Sequence, residues 1–396
     1  MPLGFFYASC LLAFVAGHTM NYATIIYAQD VLGSDLLAGI GFGLCFGPPL
    51  VLGWFAGVLC DRLAPRTVIV WAQACFVLAG GVLWAGDAML ADAGARAGAL
   101  LCGAFLAGCG WAFVAPARLA ALGQIVPSRR LHASMVLLNL LIMLGFGAAP
   151  IVIALARGAF GWGGVFAAVI AGFALASIAL LPVPSHPVRS ARRRVRAEIE
   201  EGFAAVAAAP ILGQLLLAAV LIYALIGPMQ VLLPRMAGDR LALAGLERGL
   251  FLGTLAMGLI LGGVACMALR TRLHDGRTIL SGVLAAGAGV ALLANMADPL
   301  PAAAVLLLAG AVGGMVASLV VAGLQAETPG HVRGRVMSMY TIASQIVPAA
   351  SGVAAGALSE ALGLVGALTL CGLAVAAGAL VAAGRLAVLR SYRHAG

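Results

Sequence analysis

The stretch SHPVRSARRRVRAEIEEG, residues 185–202, is the longest polar run in the 396-residue chain. It carries five arginines and three glutamates. Apolar sequence extends from it in both directions, so it reads as a basic linker, 185–209, between two arms, 1–184 and 210–396. Residues 196–209 have the pattern of a short amphipathic interfacial helix. Over the whole chain 63% of residues are hydrophobic and 9% charged, against about 25% charged in soluble domains. Too little polar surface is left for a soluble protein of this size, and disorder demands a polar, charge-rich composition. The 53 glycines follow no Gly-X-Y period, which excludes collagen. The apolar runs are continuous rather than alternating, which argues against a transmembrane barrel.

Runs bounded by Gly, Pro and charge clusters predict twelve membrane spans at 5–29, 36–60, 67–86, 97–120, 132–157, 161–182, 211–235, 247–270, 277–296, 301–324, 337–359 and 362–386. Each is close to the ~20 residues a spanning helix requires, and each must be helical because hydrocarbon offers the backbone no partner. With the N-terminus inside, 18 of the 23 basic residues, all of them Arg, fall in inner loops and tail. That bias places both termini in the cytoplasm. The first segment lacks a basic start and is expected to remain as the first helix. A shift of 202 residues superposes Pro127 on Pro329, Met135 on Met337, Gly161 on Gly363 and Gly164 on Gly366. The expected fold is therefore an all-α membrane protein of twelve transmembrane helices in two parallel six-helix repeats. The linker arginines are explained by topology and anionic headgroups, which leaves no case for nucleic-acid binding. The eight cysteines lie in or at the ends of apolar runs without a Cys-x-x-Cys pair and read as small hydrophobes, with neither a disulfide nor a metal implied.

Between the second and third spans stands Gly57-Val-Leu-Cys-Asp61-Arg62-Leu-Ala64-Pro-Arg66. This resembles motif A of the major facilitator superfamily, Gly-x-x-x-Asp-Arg/Lys-x-Gly-x-Arg/Lys. Ala64 replaces the second glycine, and Thr67 stands where a further basic residue is common. Gly57 would allow close helix approach, and Asp61 could accept charge-assisted bonds from arginines or a helix N-terminus. The corresponding loop of the second arm, Arg270 to Arg277, keeps basic residues but lacks the Gly-x-x-x-Asp frame. In the fifth span, Gly145-Phe-Gly147-Ala-Ala-Pro150 resembles the Gly-Pro motif of antiporter-type facilitators, with Ala149 in place of a glycine. Pro116-Ala-Arg118, Gln124-Ile-Val-Pro127, Glu201-Gly202-Phe203 and Pro329-Gly-His-Val-Arg333-Gly334-Arg335-Val-Met337-Ser-Met-Tyr340 together are similar to the enterobactin-exporter-like branch, which includes macrolide efflux proteins. The resemblance covers nearly the whole chain. It implies a bacterial inner-membrane exporter of siderophores or amphiphilic drugs, with Gly57, Asp61, Arg62, Arg66, Arg118, Arg333 and Arg335 as gating residues.

Facilitators bind substrate near the midplane between the two repeats, so polar residues deep in spans are the candidates. The first span offers His18, Asn21, Tyr22 and Gln29; the fifth, Asn139; the seventh, Tyr223, Gly227 and Gln230; the eleventh, Tyr340, Ser344 and Pro348 on one face, with Thr341 and Gln345 beside it. The substrate-binding set is expected to be His18, Asn21, Tyr22, Asn139, Tyr223, Gln230, Tyr340, Ser344 and Gln345. None of the 14 acidic residues falls mid-span, which leaves His18 as the candidate proton carrier. Walls without a mid-span arginine or carboxylate suit a polar molecule of low net charge. No phosphate-binding GxxxxGK[ST] loop or His-Glu-x-x-His occurs, so neither ATP coupling, an enzymatic site nor a cofactor is expected. The expectation is a monomeric secondary transporter whose partners are a small-molecule substrate, protons and the bilayer. The competing readings are multidrug or macrolide efflux and a non-transporting membrane scaffold of the same fold. If Asp61 forms a latch, Asp61→Asn should reduce transport several-fold while the amount of folded protein in the membrane, measured by fluorescence-detected gel filtration, stays unchanged.

Overall fold

Each long apolar run becomes helix, because in hydrocarbon a helix satisfies its own N–H and C=O groups. The computed structural model describes residues 2–187, 195–269, 275–330 and 332–393, with the backbone alone at 54, 56–58, 60, 61, 128, 132 and 195–199. Nothing beyond the backbone is described at Gly57 and Asp61, and linker residues Arg189, Arg192, Arg193 and Arg194 and the basic stretch 270–274 lie outside the described residues. In chain order the helices are α1 (Pro2–Asp30), α2 (Asp35–Phe46), α3 (Pro48–Arg62), α4 (Pro65–Met89), α5 (Ala93–Ile125), α6 (Ser128–Ala179), α7 (Val195–Ala208), α8 (Pro210–Tyr223), α9 (Ile226–Arg235), α10 (Gly245–Leu269), α11 (Asp275–Ala294), α12 (Pro299–Glu327), α13 (Arg333–Arg385) and α14 (Ala387–Ser391). A π-helical turn, Met236–Arg240, follows α9. No strand occurs among the described residues.

Among the described residues, ten helical stretches are long and apolar enough to cross a membrane. Two of them, of 51 and 53 residues, would each reach about 75–80 Å at 1.5 Å per residue, more than twice a hydrocarbon core of about 30 Å. Each contains one residue off helical geometry, Gly161 (φ 64°, ψ −159°) in α6 and Gly363 (φ 74°, ψ 166°) in α13. Each long helix is thus two spans joined at a glycine, which is consistent with twelve spans. These are the two glycines that the 202-residue shift superposes. L-residues with a Cβ avoid this positive-φ region.

Helix starts follow their local chemistry. Ser34 Oγ accepts the Leu37 N–H at 3.1 Å, and Asp92 Oδ2 accepts the Ala95 N–H at 2.8 Å, so both act as N-caps. Prolines lie in the first turns of α3, α4, α8 and α12, where their missing N–H costs nothing. Gly47-Pro48 separates α2 from α3 within one span, and Gly108 of α5 lies against the Leu44 carbonyl and the Pro48 ring beside that break.

The chain divides into two compact units, Met1–Ser190 with Ala237–Gly253, and Ala191–Met236 with Thr254–Gly396. In the first, α1 packs along α6, α4 lies against α5 and α6, and α2 and α3 lie against α5. Phe76 stacks on Phe173 with ring centroids 4.4 Å apart, and Ser177 Oγ donates to Gln73 Oε1. Arg66 closes the end of α6: its Nη1 donates to the Leu181 carbonyl at 3.0 Å, and its backbone N–H donates to Ser185 Oγ at 3.0 Å. In the second unit, α11 packs on α12 and α13, and α9 lies along α13. A methyl group at Gly227 would overlap the Pro348 carbonyl and the Gly352 N–H, so α9 and α13 touch backbone to backbone. The π-helical turn ends the seventh span, and the segment after it packs with the first unit rather than with the arm to which it is joined in sequence.

The two joining glycines support a direct test. Gly161→Val and Gly363→Val should each cost about 1–2 kcal/mol from the positive φ alone. That cost should lower the thermal midpoint of the purified protein by several degrees. Gly158→Val should be tolerated, since no atom lies within 4 Å of a Cβ there and its φ is not positive.

Candidate functional site

In the first unit, polar and aromatic side chains converge from α1, α5 and α6. Helical spacing sets Cys10, Phe14 and His18 one turn apart on one face of α1, with Asn21 and Tyr22 a turn further. His18 lies between Trp111 of α5 and Phe146 of α6, each ring centroid 5.4 Å from its own. Neither His18 ring nitrogen has a hydrogen-bond partner among the described residues. Asn21 is fully buried and accepts the Trp111 Nε1–H on Oδ1 at 3.1 Å, while its Nδ2 has no partner. Tyr22, 1% exposed, stacks on Phe146 at 5.6 Å. Gly145 makes this packing possible, because a Cβ there would sit 2.7 Å from the Phe14 carbonyl carbon.

Arg118 belongs to the same cluster, which corrects its expected place among the inner-loop arginines. It lies within α5, seven residues before Ile125, and is 1% exposed. Its Nη1 donates to Cys10 Sγ at 2.6 Å, and Phe14 covers the guanidinium at 5.1 Å. The polar cluster of the first unit therefore includes an arginine from near the end of α5. The physical reason is that a charge carried on a spanning helix faces the bundle interior rather than lipid.

In the second unit, α8 ends at Tyr223, the chain turns through Ala224 and Leu225, and α9 begins at Ile226. The Tyr223 and Tyr340 hydroxyls are 2.6 Å apart at this break, with their rings edge to face at 5.8 Å. Gln230 is buried on α9. Ser344 Oγ donates to the Thr341 carbonyl at 2.7 Å, and Gln345 is half-buried. The structure thus joins Tyr223 to Tyr340 directly. Ser344 is turned to its own helix, and Asn139 is an exposed side chain on α6 outside the His18 cluster. Gln29, also polar on the first span, donates to Asp35 Oδ1 at 3.0 Å, a bond at the helix end.

The other expected gating arginines have local partners. Arg335 pairs with Glu201 and so ties α7 to α13. Arg333 donates to the Thr328 carbonyl, Arg66 caps α6 as described, and Arg62 is exposed.

A charge cluster at the Asp30 end of α1 escaped the sequence reading. Arg157 Nη1 donates to Asp30 Oδ2 at 2.5 Å, and Arg248 donates to Oδ2 at 3.0 Å and to Oδ1 at 3.3 Å. Arg157 also lies 4.6 Å from the Trp162 ring centroid, in cation–π range. Beside these groups is a cavity of about 420 Å³ lined by Ile26, Pro150 and Leu252 as well as the three charged residues. Gly249 approaches the Pro150 carbonyl and Gly253 the Gly147 carbonyl, so the Gly145–Pro150 segment serves close packing on two sides. The available signal was that Asp30, Arg157 and Arg248 all fall on one side of the predicted topology.

The family model described as Major Facilitator Superfamily matches residues 5–352. No curated protein matches the sequence. Among solved structures, a POT family transporter in complex with a thioalcohol-conjugated peptide superposes with a TM-score of 0.78 at 13% identity, covering 98% of this chain and 96% of that one. A bacterial homologue of the human lysosomal transporter Spinster, in an inward-facing and unoccupied conformation, gives 0.77 at 15% identity, covering 100% of this chain and 99% of that one. The nucleoside transporter NupG, as a mutant, gives 0.69 at 15% identity, covering 97% and 99%. At such identities the likeness is one of fold.

The Asp30 cluster is partly exposed, so each ion pair should contribute no more than about 1 kcal/mol. Asp30→Asn should lower the thermal midpoint by a few degrees. A double-mutant cycle with Arg248→Gln should show a coupling of about 0.5–1 kcal/mol that shrinks as salt is raised.

Proposed function

Since the chain belongs to the major facilitator superfamily, we propose that it is a secondary active exporter working by alternating access of its two halves, with the N- and C-termini in the cytoplasm and the protein in a bacterial inner membrane. What carries this reading is the restriction of polar side chains to a few faces of otherwise apolar spans: His18, Asn21 and Tyr22 with Trp111 in one unit, and Tyr223, Gln230 and Tyr340 at a broken helix in the other. Interrupted helices and intramembrane polar groups are where transporters hold cargo.

The proposed cargo is a small hydrogen-bonding molecule, a metal-free siderophore, as the resemblance to the enterobactin-exporter-like branch implies. Tyr, Asn and Gln groups recognise its donors and acceptors, and the aromatic rings take flat surfaces. A lipophilic cation is disfavoured because Asp30, Asp35 and Asp87 are engaged elsewhere: Asp30 with two arginines, Asp35 with Gln29, Asp87 with Tyr27. A buried cation without an opposite charge costs several kcal/mol. The proton gradient is the proposed energy source, with His18 as the titratable group inside the bundle. The protein acts as a monomer and needs no cofactor.

Iron-starved cells lacking the protein should retain siderophore and secrete several-fold less, measured in culture medium and cell extract, while efflux of cationic dyes stays the same. Dye efflux that depends on the protein, with normal siderophore secretion, would establish drug efflux instead. In proteoliposomes, transport should follow an imposed pH gradient, and His18→Gln should flatten that dependence; transport indifferent to the gradient excludes proton coupling.

A further inference from the structure

The buried guanidinium of Arg118 has one edge without a partner. Its Nη1 is engaged by Cys10 Sγ, and Phe14 lies over the group. Neither Nε nor Nη2 has a hydrogen-bond partner among the described residues. These two nitrogens are not a random pair. Nε–H and the Nη2–H trans to Cδ run nearly parallel along the same side of the guanidinium, and this side-on edge matches the two oxygens of a carboxylate.

A withdrawn guanidinium cannot shed its proton, and sulfur is a weak acceptor. Leaving this charge with one such bond is costly. Among the described acids of the first unit, Asp30 holds Arg157 and Arg248, Asp35 and Asp87 accept from Gln29 and Tyr27, and Asp92 caps α5; the Asp61 side chain lies outside the described residues. An intramembrane ion with no carboxylate bonded to it among the described residues is a candidate ligand position.

The surroundings narrow the ligand. Phe14 on the guanidinium and His18 one turn along α1 lead to Trp111, which stands two turns from Arg118 on α5. The unpartnered edge thus belongs to the same buried cluster as a run of flat rings. We propose that Arg118 binds the carboxylate of the transported molecule through Nε and Nη2, and that this molecule is an acid with an aromatic body. This deepens the export reading and rests on it, narrowing the cargo from a polar molecule of low charge to an organic anion. A catechol chelator with a free carboxylate falls in that class.

The test uses the purified full-length protein in lipid nanodiscs, at constant ionic strength, with benzoate, benzamide, acetate and inorganic phosphate as probes. Thermal midpoints report binding, because a ligand selective for the folded state raises them. Saturating benzoate should raise the midpoint by about 2 °C, and benzamide, which lacks the charge, by less than half as much. Arg118→Gln should abolish the benzoate effect, and Arg118→Lys, a point charge without the fork, should keep part of it. The Gln variant should unfold no earlier than wild type without ligand, since it removes an uncompensated charge. Equal shifts with benzamide and benzoate, or a benzoate shift that survives in Arg118→Gln, would overturn the proposal, and the wild-type comparison does so without any variant. Acetate or phosphate matching benzoate would replace a cargo site with one for a free counter-anion. Siderophore secretion is scored separately. Impaired secretion in the deletion strain with no benzoate effect removes this site and leaves the export reading, whereas a benzoate effect with normal secretion does the reverse.

Discussion

Within hydrocarbon every backbone N–H and C=O must be bonded inside the protein, and the other features of this chain are arranged around that requirement. It makes each apolar run a helix and moves irregular backbone to places where other chain segments cover it. The Gly47-Pro48 break is met by Gly108 of α5, and the α8–α9 break by Tyr340. Just beyond the end of α6, Arg66 donates to the Leu181 carbonyl, and Gln124 bonds the backbone of His186 in both directions.

The same solvent removes the usual drive for helix association, since lipid tails are as apolar as leucine. Packing is left to close contact, which small residues permit. The backbone meetings of Gly227 with Pro348 and of Gly145 with Phe14 show this in the two units. Polar groups inside the bundle are then expensive unless paired, so those that remain carry meaning. The Asn21–Trp111 and Tyr223–Tyr340 bonds are paired examples; among the described residues His18 and one edge of Arg118 have no partner.

Structures at 13–15% identity superpose over nearly all of the chain. This is what such a constraint produces: many sequences can supply apolar helices with small residues at crossings. The fold is therefore permissive about cargo, and chemistry has to be argued from individual side chains.

What the sequence alone determined is whatever depends on one residue at a time. Lipid against water is such a property, so the apolar runs, the polar linker near residue 190 and the glycines at 161 and 363 could be read directly. Helical period placed Tyr223, Gly227 and Gln230 on one span, and Tyr340, Ser344 and Pro348 on another. What only the tertiary structure decided depends on pairs distant in sequence. Nothing in the sequence distinguishes Trp111 and Phe146 from the other apolar residues of their spans, and the packing sets them on either side of His18. Asp30, Arg157 and Arg248 are unremarkable charges at span ends until two arginines close on one carboxylate. Arg118 read as a loop cation, because sequence reveals that a charge is present and not which way a flexible side chain turns. Its burial against Cys10 and Phe14 is settled by the packing of α1 on α5, which no local pattern encodes.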